Sequence, residues 1–290
     1  MEARRAAGAR NVSRLGDILA SKSREIAALR SQPRAPMERS RPRDVVAALR
    51  RTPAPQGPTP KPRLPTAVFN RPMRLIAEVK LRSPSAGPLS RTLAPDARAL
   101  AYARSGAAMV SILCDGPFFD GSWDHLAAAR ARLDGAGSPA ALLAKEFVLD
   151  PRQIALARDC GADAILLIAR IVDPATLVGL VRAARDEGVE PFVEVVDEAE
   201  LSAALEAGAR VVGVNVRDLD SLAMDTARAA RVLAAIPPEV VAVHLSGLRT
   251  PLDVAAVAQG RSDAALVGEA LMRHDDPRGL LEAMVAAAGG

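Results

Sequence analysis

The stretch Arg74-Leu75-Ile76-Ala77-Glu78-Val79-Lys80-Leu81-Arg82-Ser83-Pro84-Ser85-Ala86-Gly87 decides how the chain is read. An apolar run ends in a carboxylate and an amine two residues apart. In a strand, positions i and i+2 point to the same side. Glu78 and Lys80 therefore share one face at the strand's end, just before a Ser/Pro/Gly loop. Burying a charged pair costs free energy unless each charge has a partner or a substrate. Alone, the segment reads equally well as a structural salt bridge or as catalytic chemistry.

Working outward, the pattern returns. Short β-like runs occur near 75–80, 109–113, 140–145, 164–168, 191–195, 211–215, 240–245 and 264–267. Alanine-rich helical stretches lie between them, at 96–105, 151–160, 174–187, 197–207, 225–235 and 251–258. Several open with Asp or Pro, for example Asp150-Pro151 and Asp173-Pro174, which are helix-start signals. Gly106, Gly161, Gly188, Gly208 and Gly260 follow helices, where a C′ glycine belongs. Eight strands alternating with helices over about 210 residues predict an α/β chain folded as a (β/α)8 TIM barrel. An open doubly wound sheet is the alternative. It is disfavoured because no G-x-G-x-x-G follows the first strand and eight repeats exceed its usual count.

Upstream, residues 12–30 show helical spacing, with Leu15, Ile18, Leu19, Ile26 and Leu29 on one stripe. Residues 31–43 are polar and Pro-rich, and 44–51 fit a short helix. Pro53, Pro55, Pro58, Pro60, Pro62 and Pro65 forbid helix and sheet alike over 52–65, which reads as an extended linker. The chain thus divides into an N-terminal helical extension, 1–73, and a catalytic barrel, 74–290.

Of 290 residues, 49% are hydrophobic and 2% aromatic, so a sizeable core is built from Ala, Val and Leu. No apolar run approaches the roughly eighteen residues of a membrane span, and no signal-peptide core follows the start. Cys114 and Cys160 sit outside any C-x-x-C context and read as free thiols in a reducing cytoplasm. Residues 1–82 carry 19 Lys/Arg against 6 Asp/Glu, and the remainder 19 against 28. The basic arm lacks aromatics to stack on bases, so it reads as a solvated surface rather than a nucleic-acid site.

A barrel gathers its working residues at the C-terminal ends of its strands. Here those ends are polar: Glu78 and Lys80, Lys145-Glu146-Phe147, Glu194, Asn215 with Arg217, Ser246-Gly247, and Gly268-Glu269. Convergent acids and bases in a concave site are a catalytic arrangement. Glycine-bearing loops after the seventh and eighth strands are where barrels often cradle phosphate. In a chain this poor in rings, Phe118, Phe119 and Phe147 at strand ends suit the walls of a flat apolar ligand. His125, His244 and His274 lack metal-ligand spacing. The first and last read as surface residues and His244 as structural.

These motifs spell a family. Ile76-Ala77-Glu78-Val79-Lys80 with Ser83-Pro84-Ser85, and Ser111-Ile112-Leu113 with Phe118-Phe119-Asp120-Gly121-Ser122, are followed by Lys145-Glu146-Phe147. Gly161-Ala162-Asp163-Ala164-Ile165-Leu166-Leu167-Ile168, Val193-Glu194-Val195, Gly213-Val214-Asn215-Val216-Arg217-Asp218-Leu219, Ser246-Gly247 and Leu266-Val267-Gly268-Glu269-Ala270-Leu271-Met272-Arg273 complete the series. From about residue 74 to 285 the chain resembles the indole-3-glycerol-phosphate synthases of tryptophan biosynthesis. Asp17-Ile18-Leu19-Ala20-Ser21-Lys22 is similar to the family's extra helix.

The resemblance implies a lyase. It would close the indole ring of 1-(2-carboxyphenylamino)-1-deoxyribulose 5-phosphate with loss of CO2 and water, using no metal or organic cofactor. It implies Lys145 as general acid with an amine poised near working pH, Lys80 as a second acid, Glu194 as base in the dehydration, and Glu78 as the residue orienting the amines. Asn215 and Arg217 would bind hydroxyl and carboxylate groups. Ser83, Ser246, Gly247, Gly268 and Glu269 would hold the phosphate. Pro84, Phe119, Phe147, Leu166 and Leu219 would frame the ring. The expected partner is this small phosphosugar, with no nucleic acid or membrane, in a cytoplasmic monomer, a dimer being the alternative.

Four departures from the family pattern stand out. Leu245 replaces the Glu of a usual Glu-Ser-Gly, removing a charge that would balance the lysines. Glu146 replaces Asp, Cys114 replaces Thr and Val216 replaces Asn. The Pro-rich insert at 52–65 is also unusual. Leu245 keeps a second reading open, a weakened or specialised paralogue that binds a related phosphosugar as a scaffold protein. A phosphosugar isomerase on the same barrel fits the phosphate loops but not the full set of strand ends.

Overall fold

The computed structural model describes residues 2–31, 41–51, 72–83, 87–218 and 223–289, with side chains described from residue 15 onward. The Pro-rich segment 52–65, Pro84 and Leu219 lie outside the described residues.

Eight strands form the barrel: β1 (Arg74–Val79), β2 (Met109–Leu113), β3 (Ala141–Lys145), β4 (Ala164–Ile168), β5 (Glu190–Val195), β6 (Val211–Asn215), β7 (Val241–Leu245) and β8 (Ala264–Val267). They pair in chain order, all parallel, and β8 pairs back onto β1 to close the ladder. No strand boundary differs from the sequence reading by more than one residue. The reason is chemical: parallel strands covered on both faces are near-continuous runs of Val, Ile, Leu and Ala.

The helices are α1 (Glu2–Ser31), α2 (Val45–Leu49), α3 (Pro95–Arg104), α4 (Gly116–Phe119), α5 (Trp123–Gly135), α6 (Pro151–Asp159), α7 (Pro174–Asp186), α8 (Glu198–Glu206), α9 (Thr226–Ala235), α10 (Pro251–Ala258), α11 (Glu269–Met272) and α12 (Arg278–Gly289). Asp150 and Gln153 make a capping box at the start of α6, and Asp173 caps α7 through the Thr176 N–H. Four of the five glycines expected to end helices have positive φ. Gly260 does not, although its N–H closes onto the carbonyl three residues back, that of Val257, as in the other four. In place of an open loop after β1, Arg82–Ser83 and Gly87–Pro88 form a small antiparallel ribbon. Among the described residues, no helix is long and apolar enough to cross a membrane.

Strand alternation sorts the core into two shells. Leu75, Ala77, Val79, Leu142 and Ala144 point outward into the layer beneath the helices. Ile76, Met109, Leu143, Leu166, Phe192 and Val243 point inward and fill the barrel. Val45 and Leu49 of α2 join that interior cluster and seal its floor.

Two buried aspartates hold the floor segment. Asp163, just before β4, accepts from the Arg43 N–H at 2.8 Å, the Leu142 N–H at 2.8 Å and the Arg130 guanidinium at 3.0 Å. Asp263, just before β8, accepts from the Arg51 N–H at 3.2 Å, the Ala242 N–H at 2.9 Å and Arg261 at 2.8 Å. Each aspartate therefore ties the backbone of the preceding strand to one end of the plug. Gly161 serves the same knot: it sits at φ 88°, and a Cβ there would lie 2.4 Å from Cγ of Arg130.

At the opposite end, α1 lies against the start of α6. Ile18 and Ile26 are buried, Arg30 pairs with Asp150 at 2.5 Å, and Arg152 donates to the carbonyls of Leu29 and Arg30. Asp163→Ala would strip the acceptor from three donors and leave the buried Arg130 without its main counter-charge. It is expected to destabilise the fold by about 3 kcal/mol, measured by denaturant unfolding.

Candidate active site

The inward positions of β1, β3, β5 and β6 end in Glu78, Lys145, Glu194 and Asn215, and Lys80 follows two residues after Glu78. They meet at the C-terminal mouth around a cavity of about 630 Å³. Lys80 donates to Oε1 of Glu78 at 2.6 Å. Lys145 donates to Oε2 of Glu194 at 3.2 Å, while Asn215 donates to the other oxygen, Oε1, at 2.9 Å. Ser111 reaches Oε2 of Glu78 at 3.5 Å. Both glutamates are 2% exposed. The mouth thus holds two amine–carboxylate pairs.

Burial sets the first tendency of each group and the neighbours reverse it. Burial alone would push the Glu78 carboxyl up. The charges of Lys80 and Lys145, with hydrogen bonds from Lys80 and Ser111, bring it below the ordinary carboxylate value. Burial alone would lower the Lys145 ammonium, but Glu194, then Glu78, outweigh it and raise it above the usual lysine value. The expectation of an amine poised near working pH therefore does not hold for the free protein. The same carboxylate contacts favour the charged form of the Lys145 amine.

Aromatic, apolar and small polar residues line the same cavity around these pairs. Phe119 and Phe147 face each other with centroids 6.0 Å apart, tilted 35°, and Leu166 lies with them on the cavity wall. Phe118 is half-buried outside the cavity. Ser83, Ser246, Gly247, Gly268 and Glu269 also line the cavity. Ser246 is held at φ 71° and Gly247 at φ 88°, a left-handed pair of the kind that clusters at binding sites. The Glu269 carboxylate is taken by Arg273 at 2.7 Å, so what Glu269 can offer an anion is its backbone. Arg217 lines the mouth beside Asn215, whose side-chain oxygen accepts the Arg217 N–H at 3.0 Å. The next residue, Asp218, is held by Arg170 at 3.1 Å. Apart from Phe118, every expected site residue within the described residues borders this one cavity; Pro84 and Leu219 lie outside those residues.

Sequence reading missed several lining residues. Arg249, Arg273 and His274, all exposed, also border the cavity, and the exposure of His274 agrees with its reading as a surface residue. Leu15 and Ile18 bring α1 to the wall. His244 is half-buried, with its Nε2 3.1 Å from the Ser246 carbonyl oxygen, in keeping with a structural part. Leu245 is 2% exposed and packs inward with Phe192 over Gly213, where a Cβ would lie 2.6 Å from each. The two lysines do not need a carboxylate at that position, because Glu78 and Glu194 already serve them.

The family model described as indole-3-glycerol phosphate synthase matches residues 16–284. The indole-3-glycerol phosphate synthase of Roseiflexus sp. (strain RS-1) is 44% identical over 239 residues, covering 81% of this chain and 82% of its own. Indole-3-glycerol phosphate synthase 2 of Streptomyces coelicolor is 44% identical over 213 residues, covering 73% and 81%. Among solved structures, 3-hexulose-6-phosphate synthase from Salmonella typhimurium superposes with a TM-score of 0.55 at 18% identity, over 74% of this chain and 98% of that one, a likeness of fold alone.

A Cβ at Gly268 would lie 2.7 Å from Oε1 of Glu78, the oxygen that holds Lys80. Gly268→Ala is therefore expected to displace that pair and cut catalytic efficiency by roughly 100-fold, the scale of a 1 Å misplacement. Steady-state kinetics on the folded variant checks this.

Proposed function

Because the chain belongs to the indole-3-glycerol phosphate synthase family, we propose that the mouth of its barrel closes an indole ring with Lys145 as the proton donor. The activity is that of a carboxy-lyase of tryptophan biosynthesis. Its substrate is 1-(2-carboxyphenylamino)-1-deoxyribulose 5-phosphate and its products are indole-3-glycerol phosphate, CO2 and water. Residues 74–290 are the catalytic barrel and 1–73 its extension.

The ring carbon that carries the carboxylate attacks the ribulose ketone, and the carbonyl oxygen takes a proton from Lys145. The bond to the carboxylate then breaks, and its electron pair restores the aromatic ring as CO2 leaves. Dehydration follows. Glu194 takes a proton from the adjoining carbon, the hydroxyl leaves with a proton from Lys80, and the pyrrole double bond forms. The hydrogen bond from Lys145 to Glu194 gives the proton a short way back to the donor. Glu78 holds the Lys80 amine and Asn215 holds the base. Arg217 binds the substrate carboxylate, the left-handed Ser246-Gly247 turn with Ser83, Gly268 and Glu269 binds the phosphate, and Phe119, Phe147, Leu166, Pro84 and Leu219 frame the ring. The enzyme acts as a cytoplasmic monomer and needs neither nucleic acid nor membrane.

The observation that carries this reading is the convergence of two lysine–glutamate pairs from three separated strands on one cavity that also has aromatic walls. A binding-only scaffold was suggested by Leu245, but both lysines keep their own carboxylates. Lys145→Ala is expected to lower turnover about 1,000-fold or more while product still binds. Indole fluorescence measures both. Turnover close to that of the parent would remove the role given to Lys145.

A further inference from the structure

Lys22 is a charged residue the mechanism does not use, and it is fully buried. It projects from α1 onto the ends of β2 and β3. Its ammonium lies 2.8 Å from Oδ1 of Asp115 and 3.0 Å from Oε1 of Glu146, with Glu25 of its own helix at 2.8 Å. Asp115 and Glu146 are themselves 0% and 2% exposed. Each stands at the root of a loop that builds the site. Asp115 caps α4 through the Phe118 N–H at 2.8 Å, next to the Phe119 wall. Glu146 accepts the Phe147 N–H at 2.7 Å and directly follows Lys145. Lys145 ends β3 on its inward series, and Glu146, the next residue, meets Lys22 while it too borders the cavity.

We propose that Lys22 is a positioning residue: by gripping Asp115 and Glu146 it fixes the β2 and β3 ends so that Lys145, Phe147 and Phe119 keep their places over the substrate. This rests on the role proposed for Lys145. Without the ammonium, two buried carboxylates would face each other with no cation between them, an arrangement that drives its parts asunder. The groups facing Glu146 are Lys22, with Glu25 beside it, from α1, and Asp115 and Cys114 past the end of β2; Lys145, its chain neighbour, pairs instead with Glu194. Burial pushes Glu146 up to about 7 although Lys22 pulls it down. The burial of Lys22 is more than offset by Glu146, Asp115 and Glu25, which raise it above the usual lysine value. Loss of Lys22 should therefore hurt little where the Glu146 carboxyl can stay protonated and more as it ionises.

The test is Lys22→Met, with kinetics read only on protein that melts cooperatively above the assay temperature. The expected result is a kcat lowered roughly tenfold near pH 8, a smaller deficit near pH 6, and a partial return of kcat when Glu146→Gln is added. Gln keeps the Phe147 N–H acceptor but carries no charge. Trp123, the chain's single tryptophan, opens α5 just beyond the Phe119 loop. Its quenching by acrylamide should rise in Lys22→Met without any substrate present. A mere structural anchor would lower the melting temperature and leave kcat, its pH profile and Trp123 unchanged in the folded protein, and that result would overturn the inference. If Lys22→Met does not fold, Lys22→Met/Glu146→Gln is compared with Glu146→Gln alone. A lower kcat in the double variant supports the grip, and equal kcat and quenching refute it. A fully active Lys22→Met leaves Lys145 untouched as the donor, whereas an active Lys145→Ala removes the donor and not the grip. The two failures are thus distinguishable.

Discussion

Closure of eight parallel strands into one ladder is the constraint on which the molecule turns. A closed ladder has no edge, and it gives every strand one inward and one outward series with no freedom to exchange them. The last inward positions must then converge on a common opening, whatever residues occupy them. In this chain they are Glu78, Lys145, Glu194 and Asn215. Two lysines brought so close would repel and would be costly to bury, so each needs a carboxylate held by the same ladder. Glu78 and Glu194 meet that need from β1 and β5. The charges are compensated before any ligand arrives, and the dipoles are already aimed. Such preorganisation is what makes electrostatic catalysis effective in a site shielded from water.

The same compensation explains why Leu245 is tolerated. In register, Leu245 stands beside Asn215, and its side chain joins Leu166, Ile168 and Leu266 in the interior cluster. A carboxylate there would add a further acid beside two amine–carboxylate pairs that are already balanced. The leucine instead extends the apolar floor on which the pairs rest, and it fills the space left open by Gly213. The departure that raised most doubt in the sequence is a local trade of polarity for packing.

Much of this was legible in the residues because the relevant signals are local. Strand runs rich in Val, Leu and Ala, and the paired spacing of Glu78 and Lys80, need no tertiary information. Convergence of the strand ends followed from the barrel itself. What escaped was long-range. Asp115 and Glu146 look like ordinary loop acids until a lysine more than ninety residues upstream meets them. Lys22 did leave a trace, since it falls between Ile18 and Ile26 at steps of four, on the buried side of α1. A lysine on an apolar stripe is easily passed over as a snorkelling surface residue. Likewise nothing local announces that Asp163 and Asp263 bind the ends of a five-residue helix. Arg249, Arg273 and His274 were missed because they lie in loops, where no periodicity tells which way a side chain faces.

The floor plug has a temporal corollary. The plug segment, 43–51, leaves the ribosome early, but its two anchors are Asp163 and Asp263. The first knot cannot tie until three strands have been made, and the second must wait for seven. Throughout vectorial synthesis the nascent chain therefore carries an unmoored helix whose apolar face, Val45 and Leu49, has no place to go. Contacts of such sequence separation are slow to form, and in this interval the half-made barrel leans most heavily on whatever cellular machinery shelters incomplete chains.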